Sequence, residues 1–178
     1  VINKRPSAAG STGSAGSGKS AQSAKSGFAL SLKGRALRLL SGREQSRAEL
    51  ERKLSGHEEE PGQLAAVLDE LEAKDFISPT RVIESVINRR QTKLGASRIK
   101  GELQRKGLDA SLVAEAMDGL KATEFERARE VWRKKFNSKT DAGSSAADRA
   151  KQMRFLAARG FGADAIRKAV SHAGTPDD

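Results

Sequence analysis

Cysteine is absent from the sequence, which excludes a disulfide framework, a thiolate-ligated metal and a thiol nucleophile, and fits a reducing compartment. Tyrosine is absent too, and the aromatics reduce to Trp132 and six phenylalanines, so any core must be aliphatic. The two histidines, His57 and His172, stand far apart with no paired spacing. Metal sites need clustered ligands, so both read as surface residues, and no metal or cofactor is expected. No apolar run approaches the ~20 residues of a membrane span. The N-terminus carries charge but no apolar stretch of the signal-peptide kind, so the expected location is the cytoplasm, away from any membrane.

Catalytic constellations are missing as well. No Ser/His/Asp arrangement is legible, and the run Glu58, Glu59, Glu60 reads as a solvated acidic loop rather than an acid/base pair. The chain is therefore read as a non-enzyme with no catalytic residues. One motif argues superficially otherwise: residues 13–20 (GSAGSGKS) satisfy the phosphate-loop pattern. A working loop of that kind joins a buried strand to a helix that faces the phosphates. Here no strand-like run precedes Gly13 and no later strand supplies a magnesium-binding aspartate, so the match is read as chance and Lys19 as inert. Residues 1–27 consist largely of Ser, Gly, Ala and Lys. They cannot bury enough apolar surface to offset their ordering entropy and are expected to form a flexible tail.

What remains is helical. From Leu30 onward apolar residues recur at helix spacing: Leu37, Leu40, Leu50, Leu54, then Leu64, Val67, Leu68, Leu71, then Val82, Ile83, Val86, Ile87. Ile99 and Leu103 follow, then Leu112, Val113, Ala116, Met117, Leu120, and finally Phe125, Trp132, Phe136, Met153, Leu156, Ile166, Ala169 and Val170. Strand-like alternation is absent. Ser46 with Glu49, and Thr123 with Glu126, have capping-box spacing. Ser78-Pro79 reads as an N-cap followed by proline at the first helical position, and Asp109 as a further N-cap. Gly42, Gly56, Gly95, Gly107 and Gly160 are expected to close helices in the left-handed conformation.

The middle helices repeat one another: Glu49-Leu50 with Leu54, then Ile99 with Leu103 and Gly107-Leu108, then Met153 with Leu156 and Gly160-Phe161. The expected fold is all-α: an elongated array of three tandem three-helix repeats, at residues 28–77, 78–122 and 123–173, between the tail and a short C-terminal segment, 174–178. A unit this small buries little by itself, so neighbours should stack. A polar insert over residues 137–147 lengthens the first loop of the third unit. Leu103 and Trp132 are expected to be structural.

The net charge of +10 is unevenly spread. The first unit is acidic around residues 58–75, whereas the second and third gather the cations, an asymmetry suited to a composite partner surface that includes a polyanion. The contact candidates are Arg89, Arg90, Lys93, Arg98, Lys100, Arg105, Lys106, Lys134, Lys135, Arg154, Arg159, Arg167 and Lys168. Taken singly, any of these cations also fits a solvated helix face with i,i+4 pairs such as Glu130–Lys134; taken as a cluster, they point to phosphate contact. Aromatics do not interleave with the basic residues, which argues against a base-stacking platform.

Four segments carry a resemblance: residues 37–54 (LRLLSGREQSRAELERKL), 67–81 (VLDELEAKDFISPTR), 95–108 (GASRIKGELQRKGL) and the close of the third unit, RFLAARGF from Arg154 followed by IRK from Ile166. Their order and spacing resemble the RecX family of regulatory proteins over about residues 31–172. The resemblance implies a stack of three-helix repeats that lodges in the groove of RecA recombinase filaments on single-stranded DNA. There it would block extension, ATP hydrolysis and strand exchange, and so modulate recombination, DNA repair and the SOS response. The partners implied are the RecA filament and, through it, single-stranded DNA; a monomer is expected. The chain departs from the family at Val82, where an aromatic is usual after the turn arginine, and in the loop over residues 137–147. Two other classes stay open on the residues alone: a direct DNA-binding helix-turn-helix regulator, and a helical scaffold for an acidic protein.

Overall fold

The computed structural model describes residues 30–136 and 145–171. The tail, its phosphate-loop pattern, His172, the C-terminal segment and most of the polar insert lie outside the described residues. Within them the chain forms nine α-helices: α1 (Leu32–Gly42), α2 (Arg47–Leu54), α3 (Gln63–Ala73), α4 (Pro79–Arg90), α5 (Ala96–Arg105), α6 (Ala110–Ala122), α7 (Glu124–Phe136), α8 (Ala146–Ala158) and α9 (Ala163–Ser171). A 3₁₀ turn, Ser55–His57, extends α2, and no strand occurs among the described residues.

Each trio encloses its own apolar cluster. Leu50, Leu54, Leu68 and Leu71 centre the first, Val86, Ile99, Leu103 and Val113 the second, and Ala128, Trp132, Leu156 and Ala169 the third. Leu103 is fully buried and Trp132 is 4% exposed, so both are core, as their stripes predict. Full burial of such side chains is worth about 1.5–3 kcal/mol each. Val82 is buried at 1%: an aliphatic side chain fills that position.

The caps show how local sequence sets the boundaries. Ser46 and Glu49 form the expected capping box, Ser46 Oγ accepting from the Glu49 N–H at 3.2 Å while Glu49 accepts from the Ser46 N–H at 3.1 Å. Ser78 caps α4 with Pro79 at its start, and Asp109 accepts from the Ser111 and Leu112 amides. The second expected box does not form. Thr123 lies between α6 and α7, and its hydroxyl donates back to the Leu120 carbonyl and accepts from Arg127.

Only Gly107 (φ 68°) and Gly160 (φ 82°) close their helices in the left-handed region, as expected. Gly42 instead ends α1 in helical conformation and Gly56 sits in the 3₁₀ turn. Gly95 begins α5 with φ −78°. After α3 the left-handed place falls to Asp75, φ 57°.

The register of α8 also differs from the apolar pattern. Met153 points outward at 37% exposure, and Gln152, 3% exposed, takes the core position that Leu50 and Ile99 hold in the earlier units. The tryptophan makes this possible: Trp132 Nε1–H donates to Gln152 Oε1 at 3.0 Å, so the buried amide is not left without a partner.

Candidate nucleic-acid interface

The units join end to end through their middle helices. The N-terminus of α2 meets the C-terminus of α5, and the N-terminus of α5 meets the C-terminus of α8. At the first joint Ser46 Oγ donates to the Lys106 carbonyl at 2.6 Å, while Lys106 Nζ pairs with Glu49 Oε1 at 2.7 Å, both side chains about nine-tenths buried. Burial alone would raise the Glu49 carboxyl, but hydrogen bonds from Arg43 and Lys106 and from the Ser46 amide outweigh it and hold the group at about 2.

The corresponding positions at the second joint are Gly95 and Arg159. The Gly95 N–H donates to the Arg159 carbonyl at 3.0 Å and the Ser97 N–H to the Gly160 carbonyl at 3.2 Å. Gly95 lacks a side chain to cap α5; Glu124, at the start of α7, supplies that cap from the next unit, accepting from the Ala96 N–H at 3.0 Å.

An arginine in the first turn of each later unit clamps the joint from outside. Arg81 bonds Glu44 at 3.0 Å and Asp75 at 2.7 Å. Arg127 donates to the carbonyls of Leu94 at 2.9 Å and Leu120 at 2.8 Å, and to that of Gln91. Burial lowers the pKa of the Arg127 guanidinium, and these carbonyls stand in for lost water. Neither Glu124 nor Arg127 stands out from the sequence as a joint residue. Their signal is faint: an acid and a base in the first turn of α7.

The second joint gathers four contact candidates. Lys93, on the loop between α4 and α5, Lys134 and Lys135, in the last turn of α7, and Arg159, at the end of α8, line one cleft of about 270 Å³ with Thr92, Val131 and Phe155. The Arg159 guanidinium carbon lies 3.6 Å from the centre of the Phe155 ring, a cation–π contact that holds the group against the ring. Phe155 meets Phe136 edge-on at 5.1 Å, and Phe136 lies 6.0 Å from Trp132. The expectation that no aromatic interleaves with the cations is thus corrected: Phe155 sits among them, covered by Arg159. Lys134 pairs with Glu130 at 3.2 Å; neither Lys93 nor Lys135 has an ion-pair partner among the described residues.

The remaining candidates do not share this cleft. Lys106 is a correction: at 8% exposure, with its ammonium on Glu49, it fastens the first joint and is not offered to a partner. Arg90 bonds Glu102 at 2.9 and 3.4 Å, and Arg89 donates to the Ser85 carbonyl of its own helix at 3.0 Å. The Arg98 stem lies against Gly160 at the joint. Two residues on, about 200° around the helix at 100° per residue, Lys100 lines a different cleft of about 350 Å³ with Met117, Lys121 and Glu124. Arg105 and Arg154 are exposed, Arg167 pairs with Asp164 in the first turn of α9, and Lys168 is exposed on that helix. No cluster of His, Asp or Glu among the described residues is arranged to hold a metal ion, and no described helix is long and apolar enough to cross a membrane.

Comparison with known proteins bears on this arrangement. Family models described as the first, second and third three-helix domains of RecX match residues 33–71, 80–117 and 122–170. A protein of Leptothrix cholodnii named Regulatory protein RecX is 47% identical over 141 residues, 79% of this chain and 88% of that one. One from Herminiimonas arsenicoxydans with the same name is 48% identical over 141 residues, covering 79% and 91%. The crystal structure of RecX from Lactobacillus salivarius superposes with a TM-score of 0.68 at 22% identity, covering 79% of this chain and 93% of that chain, which supports the fold alone.

Proposed function

The chain belongs to the RecX family of regulatory proteins, and on that premise we propose that it is a non-enzymatic regulator that binds filaments of the RecA recombinase on single-stranded DNA. Bound there, it restrains their extension, ATP hydrolysis and strand exchange. The observation that carries this reading is the division of charge along a stacked array. The first unit exposes carboxylates such as Glu58, Glu59 and Glu60, and the later units expose Arg89, Lys93, Arg105, Lys135 and Arg154. A filament groove offers phosphate and protein side by side, and such an array can meet both along its length. The protein acts as a monomer, each unit already closed by its own core.

Titration of the protein into recombinase turning over ATP on single-stranded DNA tests the proposal; the hydrolysis rate should fall saturably. Reversing Arg89 and Arg105 to Glu should weaken inhibition without unfolding the protein, because exposed charges contribute at most about 1 kcal/mol each. Sequence-specific binding to a duplex with no effect on the recombinase would overturn the proposal in favour of a conventional DNA-binding regulator.

A further inference from the structure

We infer that the cleft at the second joint seats a phosphodiester of single-stranded nucleic acid, and that its occupation ties the second unit to the third. The inference narrows the contact with filament DNA proposed above and rests on that reading only for its biological setting. Three lysines and an arginine line a cleft of about 270 Å³, and no acidic residue lines it with them. The nearby carboxylate, Glu130, is already shared between Arg133 and Lys134. Lys134 and Lys135 stand in the last turn of α7, where the helix dipole favours cations, and Lys135 has no ion-pair partner among the described residues.

A chain of phosphates can engage several point charges in so small a space. A protein carboxylate, by contrast, is best met by a free, forked arginine, and Arg159 is not free. Its guanidinium carbon lies 3.6 Å from the centre of the Phe155 ring, and Nη1 donates to the Phe155 carbonyl at 3.3 Å. Arg159 is only half-buried, so the side of the guanidinium away from the ring has a face that can meet a further π surface. A nucleobase meets that face only when unpaired, which selects a single strand over a duplex.

The cleft has walls from two units. Thr92 and Lys93 precede α5, and the other lining residues lie on α7, on α8 and, for Arg159, just past its end. Arg159 belongs to both features, since its side chain lines the cleft and its carbonyl receives the Gly95 amide. A phosphate held between Lys93 and Lys135 therefore opposes separation at that bond.

Trp132, the sole tryptophan, lies two ring contacts from the cleft through Phe136 and Phe155 and reports occupancy in the full chain. Oligothymidylate should shift its fluorescence saturably. The variant K93Q/K134Q/K135Q should bind at least about tenfold more weakly, with the slope of log K against log salt shallower by about 2, at about 0.7 for each lost phosphate contact. R38Q/R52Q/K121Q removes the same charge from exposed positions elsewhere and should stay within about twofold of wild type. Bound oligonucleotide should also slow hydrogen exchange at the Gly95 and Ser97 amides.

Equal weakening by the two triple variants would overturn the inference in favour of diffuse attraction. So would a duplex that binds as well as the single strand, or polyglutamate that moves Trp132 as oligothymidylate does. Unchanged exchange at Gly95 and Ser97 would overturn the tie between units. Wild-type protein that passes these tests yet leaves recombinase ATPase untouched would remove the regulatory reading and keep the cleft. A cleft variant that binds oligonucleotide normally but no longer inhibits would do the reverse.

Discussion

Where the first unit meets the second, a serine hydroxyl reaches the Lys106 carbonyl and a lysine–glutamate pair is buried beside it. Where the second meets the third, Gly95 stands at the serine's place and its own N–H makes the bond, to the Arg159 carbonyl. The chain comes closer by the length of a side chain, and a Cβ built on Gly95 would lie 2.2 Å from the Gly160 oxygen. Glu49 and Lys106 become Arg98 and Arg159, two like charges. The first joint therefore spends its polar side chains on holding units together. The second closes through backbone bonds, with Glu124 and Arg127 reaching across from α7, and leaves Arg159 to a cleft, so the chemistry of joining sets which joint is free to bind.

The largest expected effect is at the first joint. Lys106→Ala leaves Glu49 with Arg43 as its remaining cationic partner, so the loss should reach about 3 kcal/mol, the lower end of what breaking a buried pair from one side costs; urea denaturation followed by circular dichroism measures it. The pair also makes this joint acid-sensitive. Glu49 is held at about 2, below its ordinary 4.5, so its contribution is complete above about pH 4.5 and is lost as pH falls toward 2. At roughly 1.4 kcal/mol per unit this is about 3 kcal/mol. Glu70, bonded by Lys33 and Lys74, is also held at about 2, so the contrast is with Glu49→Gln, whose denaturation midpoint should fall less steeply below pH 4.5. An identical acid limb in the variant would remove Glu49 from the account.

At the second joint the sensitive feature is space. Gly95→Ala drives a methyl into backbone, which cannot rotate away, and overpacking of this kind costs about 1–3 kcal/mol. The loss should fall on coupling rather than on either core. Hydrogen exchange should quicken at Gly160 and at the start of α5, while protection of Leu68 in the first unit is kept. If unfolding remains one transition with uniformly raised exchange, the joint is not the separable element described above.

Most of this architecture was legible because it is local. Stripes such as Leu64, Val67, Leu68, Leu71 and caps such as Ser46, Ser78 and Asp109 are written within a turn or two of sequence. The joints were not, because their partners lie far apart: Lys106 meets Glu49 across 57 residues, and by itself a Lys-Gly at a helix end looks solvated. Gln152 was missed for the same reason; a glutamine enters a core only if a distant donor, here Trp132, satisfies it. The cleft was half legible. Its four cations were named from charge alone, but their convergence around Phe155 depends on how the α4–α5 loop meets α7 and α8.

The smallest expected effect comes from writing the first joint's acid into the second. Arg98→Glu restores at that position the residue type of Glu49, opposite an arginine where the first joint has a lysine. If matched charge alone made the first joint, the variant would gain several kcal/mol and acquire an acid limb. The geometry argues otherwise. Arg98 is exposed, and the Arg159 guanidinium is committed to the Phe155 ring 3.6 Å away, facing the cleft rather than the joint. A new pair there would be solvated and screened, worth at most about 1 kcal/mol and less at high salt. The denaturation midpoint should therefore move little and the pH profile should keep its wild-type shape. A large gain sensitive to pH below 4.5 would show that the two joints differ only in their side chains, not in how close glycine lets the backbones come.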